Sequence, residues 1–182
     1  MEKIILTTKE YKILTDIMSK DKKRIFLQRI FILDGYLYST DGMREVKIKK
    51  DDELLYPVDG SYEIKGKTKV SNIGYEVIIE KVEQEMPDLK RVSEGFNIEV
   101  FEKIINKSTF RSILPLTIYD ILKKPINVDL IEVLYDICDE DKITVYITNN
   151  DTPEKPIMIK IERFNMEFII LPFEFNLPKR KD

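Results

Sequence analysis

Twice along this chain a short segment with apolar residues at helical spacing is followed by strands in which apolar and polar residues alternate. That order restricts the fold to helices laid against antiparallel sheet. In the first round Ile4-Ile5-Leu6 reads as a strand, and Thr7 with Glu10 three residues later forms a capping box, which satisfies free amides at a helix start. Tyr11, Leu14, Ile17 and Met18 make the apolar stripe, while Lys9, Lys12, Asp16, Lys20 and Lys23 fall mainly on the other face. Arg24 to Leu33 is rich in β-formers. Asp34-Gly35 then suits a two-residue hairpin turn because both residues tolerate positive φ, and Tyr36 to Thr40 is the return strand. Val46 and Ile48 alternate with Glu45, Lys47 and Lys49, the period of a half-buried strand. Asp59-Gly60 and Gly66-Lys67 punctuate short strands around Tyr62-Glu63-Ile64, and Tyr75, Val77 and Ile79 continue the alternation.

Residues 93 to 97 are the expected boundary between two halves, 1–94 and 95–182. In the second half Phe101, Ile104 and Ile105 against Glu102, Lys103, Asn106 and Lys107 predict an amphipathic helix over 98–107. Asp129 with Glu132 is a further N-terminal capping pattern, leading into Leu130, Val133, Leu134 and Ile137, with Glu132 and Asp136 outside. Strands follow over 142–148, 156–162 and 166–171, the last two joined by Arg163-Phe164-Asn165. Between Pro115 and Pro125 an apolar run fits either a short helix or irregular chain. The predicted class is α+β, with short helices backing antiparallel sheets in two similar halves.

A chain of 182 residues with 43% hydrophobic side chains can bury a substantial core. Thirty Lys and Arg against 33 Asp and Glu leave a formal charge of -3, so any nucleic-acid contact must come from a locally basic face. A single cysteine, Cys138, excludes an internal disulfide and suits a reducing, cytoplasmic setting. No apolar run reaches the roughly 18–20 residues that span a bilayer, and no secretory leader is visible, so a soluble protein without membrane contact is expected.

Enzymatic chemistry finds little foothold. The chain contains no histidine, which removes a histidine base or zinc triad, and it has no glycine-rich phosphate loop. Asp51-Asp52-Glu53 and Asp139-Glu140-Asp141 lack the spacing of a calcium loop and read as solvated turns. Cys138 falls on the apolar side of a helix with no partner base, which fits packing. No catalytic residue, metal site or cofactor is expected.

Three separated segments carry a resemblance. Thr40-Asp41-Gly42-Met43-Arg44, Met86-Pro87-Asp88-Leu89-Lys90-Arg91-Val92 and Phe168-Ile169-Ile170-Leu171-Pro172-Phe173 resemble, in this order, motifs of the bacterial DNA polymerase III beta subunit family, the sliding clamps. The resemblance implies a DNA-clamp-like fold, shortened from the family's three domains. It also implies a hydrophobic pocket for partner peptides formed by Thr40, Gly42, Met43, Arg44, Pro87, Arg91, Val92, Ile169, Leu171, Pro172 and Phe173. Partners expected on this basis are DNA polymerase and clamp-loader peptides, duplex DNA bound without sequence preference, and copies of the chain itself in a homo-oligomeric ring. The setting implied is DNA replication, with a processivity factor of a phage or other mobile element as the leading form.

Sliding needs electrostatic contacts to phosphate that read no base. Lys9, Lys12, Lys20, Lys22, Lys23 and Arg24, with Lys103 and Lys107 next, are the DNA-binding candidates. Met43 replaces the family's usual histidine, Glu45 an apolar residue, and Glu174 a frequent basic residue, so a different partner preference is implied. The alternative is a monomeric clamp-like adaptor or competitor that keeps the pocket and does not encircle DNA.

Overall fold

The computed structural model describes residues 1–50, 57–70, 72, 74–90, 95–122, 128–148 and 156–170. The first half supplies β1 (Glu2–Thr7), α1 (Thr8–Ile17), β2 (Ile30–Leu33), β3 (Tyr36–Thr40), β4 (Arg44–Lys49), β5 (Gly60–Val70) and β6 (Gly74–Val82). The second supplies β7 (Phe96–Asn106), α2 (Lys107–Leu122), α3 (Asp129–Ile137), β8 (Glu140–Thr148), β9 (Ile157–Ile161) and β10 (Met166–Ile170). The described strands form one antiparallel sheet in the order β1-β6-β5-β2-β3-β4-β10-β9-β8-β7. The order is nearly symmetric about the β4–β10 pair. On each side a strand, a helical segment and three further strands follow one plan, and the β5–β6 hairpin is inserted between β1 and β2.

The helices cover one face. Ile13, Leu14 and Ile17 of α1, Phe110, Leu114 and Ile118 of α2, and Ile131, Leu134 and Ile137 of α3 join the inward residues of both halves in one cluster. Each such side chain contributes roughly 1.5–3 kcal/mol on burial. The capping box of α1 is present, with Glu10 Oε2 accepting from Thr7 N at 2.7 Å and Thr7 Oγ1 accepting from Glu10 N at 3.2 Å. The other Glu10 oxygen meets Lys50 Nζ at 2.6 Å, tying the helix start to the end of β4. Asp34 and Gly35, at φ 51° and 76°, make the expected turn between β2 and β3. No described helix is long and apolar enough to cross a membrane.

Several expectations are corrected. Residues 98–106 form strand, not helix, and Lys107 begins α2: β7 pairs with β8 through two register shifts, and Ile104, placed on the apolar side of the expected helix, is 64% exposed. Phe101 and Ile105, four residues apart, share a face in a strand as in a helix, Ile104 lies on the other face, and Ile98, Val100, Ile104 and Ile105 favour strand. The open stretch after it contains the 16-residue helix α2, which carries Pro115 in its interior and buries Phe110, Leu114 and Ile118 four residues apart. Asp129 is not the cap of α3; Val128 occupies that position, without a side-chain cap bond, and Asp129 begins the helix. Gly66 does not end a strand but sits at a register shift inside β5. In the run after Arg24, Ile25–Leu27 is a 3₁₀ turn and strand begins only at Ile30. The acidic run 139–141 is not a solvated turn throughout, because Glu140 begins β8 and Asp141 is buried.

Candidate ligand-binding pocket

Adjacent antiparallel strands place paired residues side by side on one face of a sheet. Thr40 of β3 pairs with Glu45 of β4, and Glu45 pairs with Ile169 of β10. The three form a row on the face opposite the helices. That row lines a cavity of about 290 Å³, whose remaining wall comes from Phe26 and Leu27, from Gly42 and Arg44, and from Pro87, Asp88 and Leu89. The surface inside is overwhelmingly apolar. A cavity of this size, with few polar groups at fixed places, accepts a side chain or two of a ligand.

The turn between β3 and β4 is held by its own side chains. Thr40 Oγ1 accepts from Gly42 N at 3.0 Å and donates to Arg44 O at 2.7 Å. Asp41 Oδ1 accepts from the backbone of Met43 and Arg44, both at 2.8 Å. Its Oδ2 accepts from both Nε and Nη2 of Arg44, at 2.9 and 2.7 Å, and these two charge-assisted bonds to one oxygen fix the guanidinium at the pocket edge. Gly42 has φ +88°, and a Cβ there would lie 3.2 Å from Arg24 Nη1 and 3.5 Å from Leu27 Cδ1. The conformation and the close approach of the 3₁₀ turn both call for glycine.

The opposite wall is pinned to the same face. Leu89, 2% exposed, packs with Phe31 and Tyr38, and half-buried Leu33, Tyr36 and Met86 surround them. Leu89 N donates to Pro87 O at 2.8 Å, and Lys90 meets Asp34 at 2.7 Å. Burial holds the Tyr38 hydroxyl above its usual range, with the nearby Glu45 carboxylate adding to the effect.

Glu45 is the exceptional group. It is 3% exposed although it lies on the face without helices, and its Oε1 is enclosed without a hydrogen-bond partner. Burial pushes its carboxyl up to about 8; Lys47 opposes the shift and Glu167 adds to it. Lys47 is occupied elsewhere, 2.8 Å from Glu167 Oε2 and 4.5 Å from the centre of the Tyr36 ring.

Of the expected pocket residues, Thr40, Gly42, Arg44, Pro87 and Ile169 line this cavity. Met43 is in the same turn, half-buried and off the wall. Arg91, Val92, Leu171, Pro172 and Phe173 lie outside the described residues. Sequence reasoning missed Phe26, Leu27, Glu45, Asp88 and Leu89 as pocket residues. The one available signal was the apolar triplet Ile25-Phe26-Leu27 directly after a run of lysines; Ile25 and Phe26 remain exposed.

The basic candidates divide into two groups. Lys9 pairs with Asp139 and lies 5.2 Å from the Phe164 ring centre, and Lys12 pairs with Asp16 at 3.0 Å and Asp136 at 3.2 Å. Hydrogen bonds to those two carboxylates hold the Lys12 ammonium above its ordinary range. Lys107 lies 5.0 Å from the Tyr135 ring centre, and Lys103 is exposed on strand β7. By contrast Lys20, Lys22 and Lys23 project from the segment after α1 with no ion pair among the described residues. Arg24 closes that segment by donating to Asp41 O at 3.2 Å, so the basic segment and the pocket share an edge.

The architecture occurs in two solved structures. A protein described as a DNA polymerase III beta subunit from Eubacterium rectale superposes with a TM-score of 0.63 over 97% of this chain, at 13% identity. The DNA polymerase sliding clamp of Bacillus subtilis superposes with a TM-score of 0.56 over 94%, at 12% identity. This chain spans 66% and 64% of those two chains. The sequence matches no protein-family model and no curated protein. The fold is therefore that of a sliding clamp in shortened form.

Proposed function

We propose that this protein is a non-enzymatic, clamp-like accessory factor of DNA replication that receives an extended peptide of a partner protein in the pocket between β3, β4, β10 and the 86–90 segment. The observation that carries the proposal is convergence: residues of the β3–β4 turn (Thr40, Gly42, Arg44, Glu45), Pro87 to Leu89 and Ile169, far apart in sequence, meet at one apolar cavity with Phe26 and Leu27 of the 3₁₀ turn. Polymerase and clamp-loader peptides are the partners this reading favours. The segments 1–94 and 95–182 act in it as two halves of one clamp-like unit.

Selection of a random-peptide display library on the whole protein tests the pocket. Peptides retained by the native protein and lost on Phe26→Asp are the expected result. Phe26 is 41% exposed, so the change alters the wall while leaving the core intact. Failure to recover any peptide sensitive to Phe26→Asp overturns the assignment.

A second reading adds sequence-independent DNA association, and Lys20, Lys22 and Lys23, which have no ion pair among the described residues, favour it. Lys9 and Lys12, paired with Asp139 and Asp136, are poorly placed for that role. The helices together carry Lys9, Lys12, Lys107 and Arg111 against Glu10, Asp16, Asp120, Asp129, Glu132 and Asp136, an excess of acid. This balance favours the adaptor form over a ring whose helices line DNA. Solution mass across concentration separates the two: a defined oligomer supports the ring, a strict monomer the adaptor.

A further inference from the structure

An ordinary half-buried strand turns its charged side chains to water, and Lys49 of β4 follows that pattern, Lys47 is partly covered and ion-paired, and Glu45 is buried. Its carboxylate lies at the Thr40–Glu45–Ile169 row, enclosed by the 86–89 wall and the 3₁₀ turn. An enclosed carboxyl oxygen without a partner is costly, and no cation among the described residues relieves it. Lys47 is committed to Glu167, Arg44 to Asp41, and Arg24 to the Asp41 carbonyl, with Asp21 3.9 Å away. The rest of the cavity is made of Phe26, Leu27, Pro87, Leu89 and Ile169, a lining suited to an aliphatic stem.

We propose that Glu45 makes the pocket selective for a partner segment presenting a lysine or arginine among apolar residues, its methylene stem against the apolar wall and its cation on the Glu45 carboxylate. The inference rests on the peptide-binding reading above and specifies which peptide fits. Charge complementarity carries it: the pocket encloses an unpaired carboxyl group that burial keeps protonated up to about 8, and the complement that would hold it ionised while covering the apolar wall is a long cationic side chain. An apolar anchor fills the same volume but leaves the Glu45 carboxyl without a charged partner.

The groups around Glu45 set the pH behaviour. Tyr38 on β3, Lys47 on its own strand, Glu167 on β10, and Asp88 on the 86–90 wall are the ionisable neighbours; Arg44 and Arg24 stand at the edge in their own pairs. A cationic anchor binds the ionised form, so its affinity rises with pH toward the Glu45 titration at about 8 and levels above it. An uncharged anchor prefers the protonated form and weakens over the same range.

The test uses the display selection above, repeated on Glu45→Leu and on the isosteric Glu45→Gln. Peptides that depend on Phe26 should carry Lys or Arg at one fixed position when selected on the native protein. At that position norleucine in place of lysine should weaken binding at least about tenfold, and Glu45→Leu should reverse the order. The opposed pH trends of the lysine and norleucine peptides distinguish direct pairing from a structural role. Phe26-dependent peptides without a basic preference, or with one unchanged in both Glu45 variants, overturn this inference and leave the pocket standing. No Phe26-dependent peptide from any of the three proteins overturns the pocket and the inference together.

Discussion

On the helix side of the sheet the buried side chains are almost all aliphatic or aromatic and run through both halves as one cluster. On the other face the compact apolar group is Phe31, Tyr38 and Leu89, and beside it Glu45 and Thr40 are buried polar residues. The first face is covered by three helices, the second by a short segment and a 3₁₀ turn that leave a cavity of about 290 Å³. Contacts on the helix side bridge many elements and so serve stability. Those on the other face are few and polar groups are tolerated there, the pattern of a surface kept for a ligand.

Removing one large side chain from each face gives the widest separation. Phe168 of β10 is fully buried beneath the helices, and Phe168→Ala should cost about 3–5 kcal/mol by the usual cavity penalty. Leu89→Ala should cost about 2 kcal/mol, the low end of that range, because the 86–90 segment can settle toward the strands. Urea unfolding of both variants measures the difference. Equal losses would mean that the covering segment belongs to the same cooperative core and that the two faces are not distinct.

The next largest effect concerns charge. A carboxyl raised to about 8 in the folded protein from its unfolded value near 4.5 keeps a proton that the unfolded chain has lost between those limits. Stability from this group is therefore fully present below about pH 4.5 and is lost as pH rises through about 8. Glu45→Gln removes the dependence. The variant should match the native protein near pH 4 and exceed it by up to about 5 kcal/mol near pH 9, measured by unfolding at each pH. A constant offset between the two proteins would show that Glu45 is not enclosed as the structure places it.

Much of the helix side was legible in the sequence because each of its signals is local. Thr7 and Glu10 determine where α1 starts, Asp34-Gly35 determines the turn, and Val46 with Ile48 marks the inward face of β4. The helix expected at 98–107 failed because Phe101 and Ile105, four residues apart, share a face in a strand as in a helix, and Ile104, which completes the helical spacing, is an exposed residue of the other face. Which reading holds depends on β8, a partner strand more than thirty residues away. On the pocket side, Thr40, Gly42, Arg44, Pro87 and Ile169 were reached through family resemblance, with no periodicity pointing to them. Burial of Glu45 was not legible at all: alternation assigns it to the outer face, and what covers that face comes from residues 25–27 and 86–90.

The smallest expected effect sharpens the division between paired and unpaired cations. Lys12 lies between Asp16 and Asp136 with its side chain 43% exposed, so the bridge between α1 and α3 works largely through solvent. Lys12→Gln should then reduce stability by less than about 1 kcal/mol. It should also leave salt-sensitive retention on duplex DNA unchanged if DNA meets the 20–23 segment, because Lys12 is already neutralised by its neighbours. Lys22→Glu with Lys23→Glu reverses two cations that have no acidic partner among the described residues, and should flatten the dependence of DNA affinity on salt by roughly one unit of log-log slope per lost phosphate contact. A stronger loss from Lys12→Gln than from the double reversal would place DNA against the helices and revive the ring with helices lining its bore, since only a face in contact with phosphate turns a paired lysine into a binding determinant.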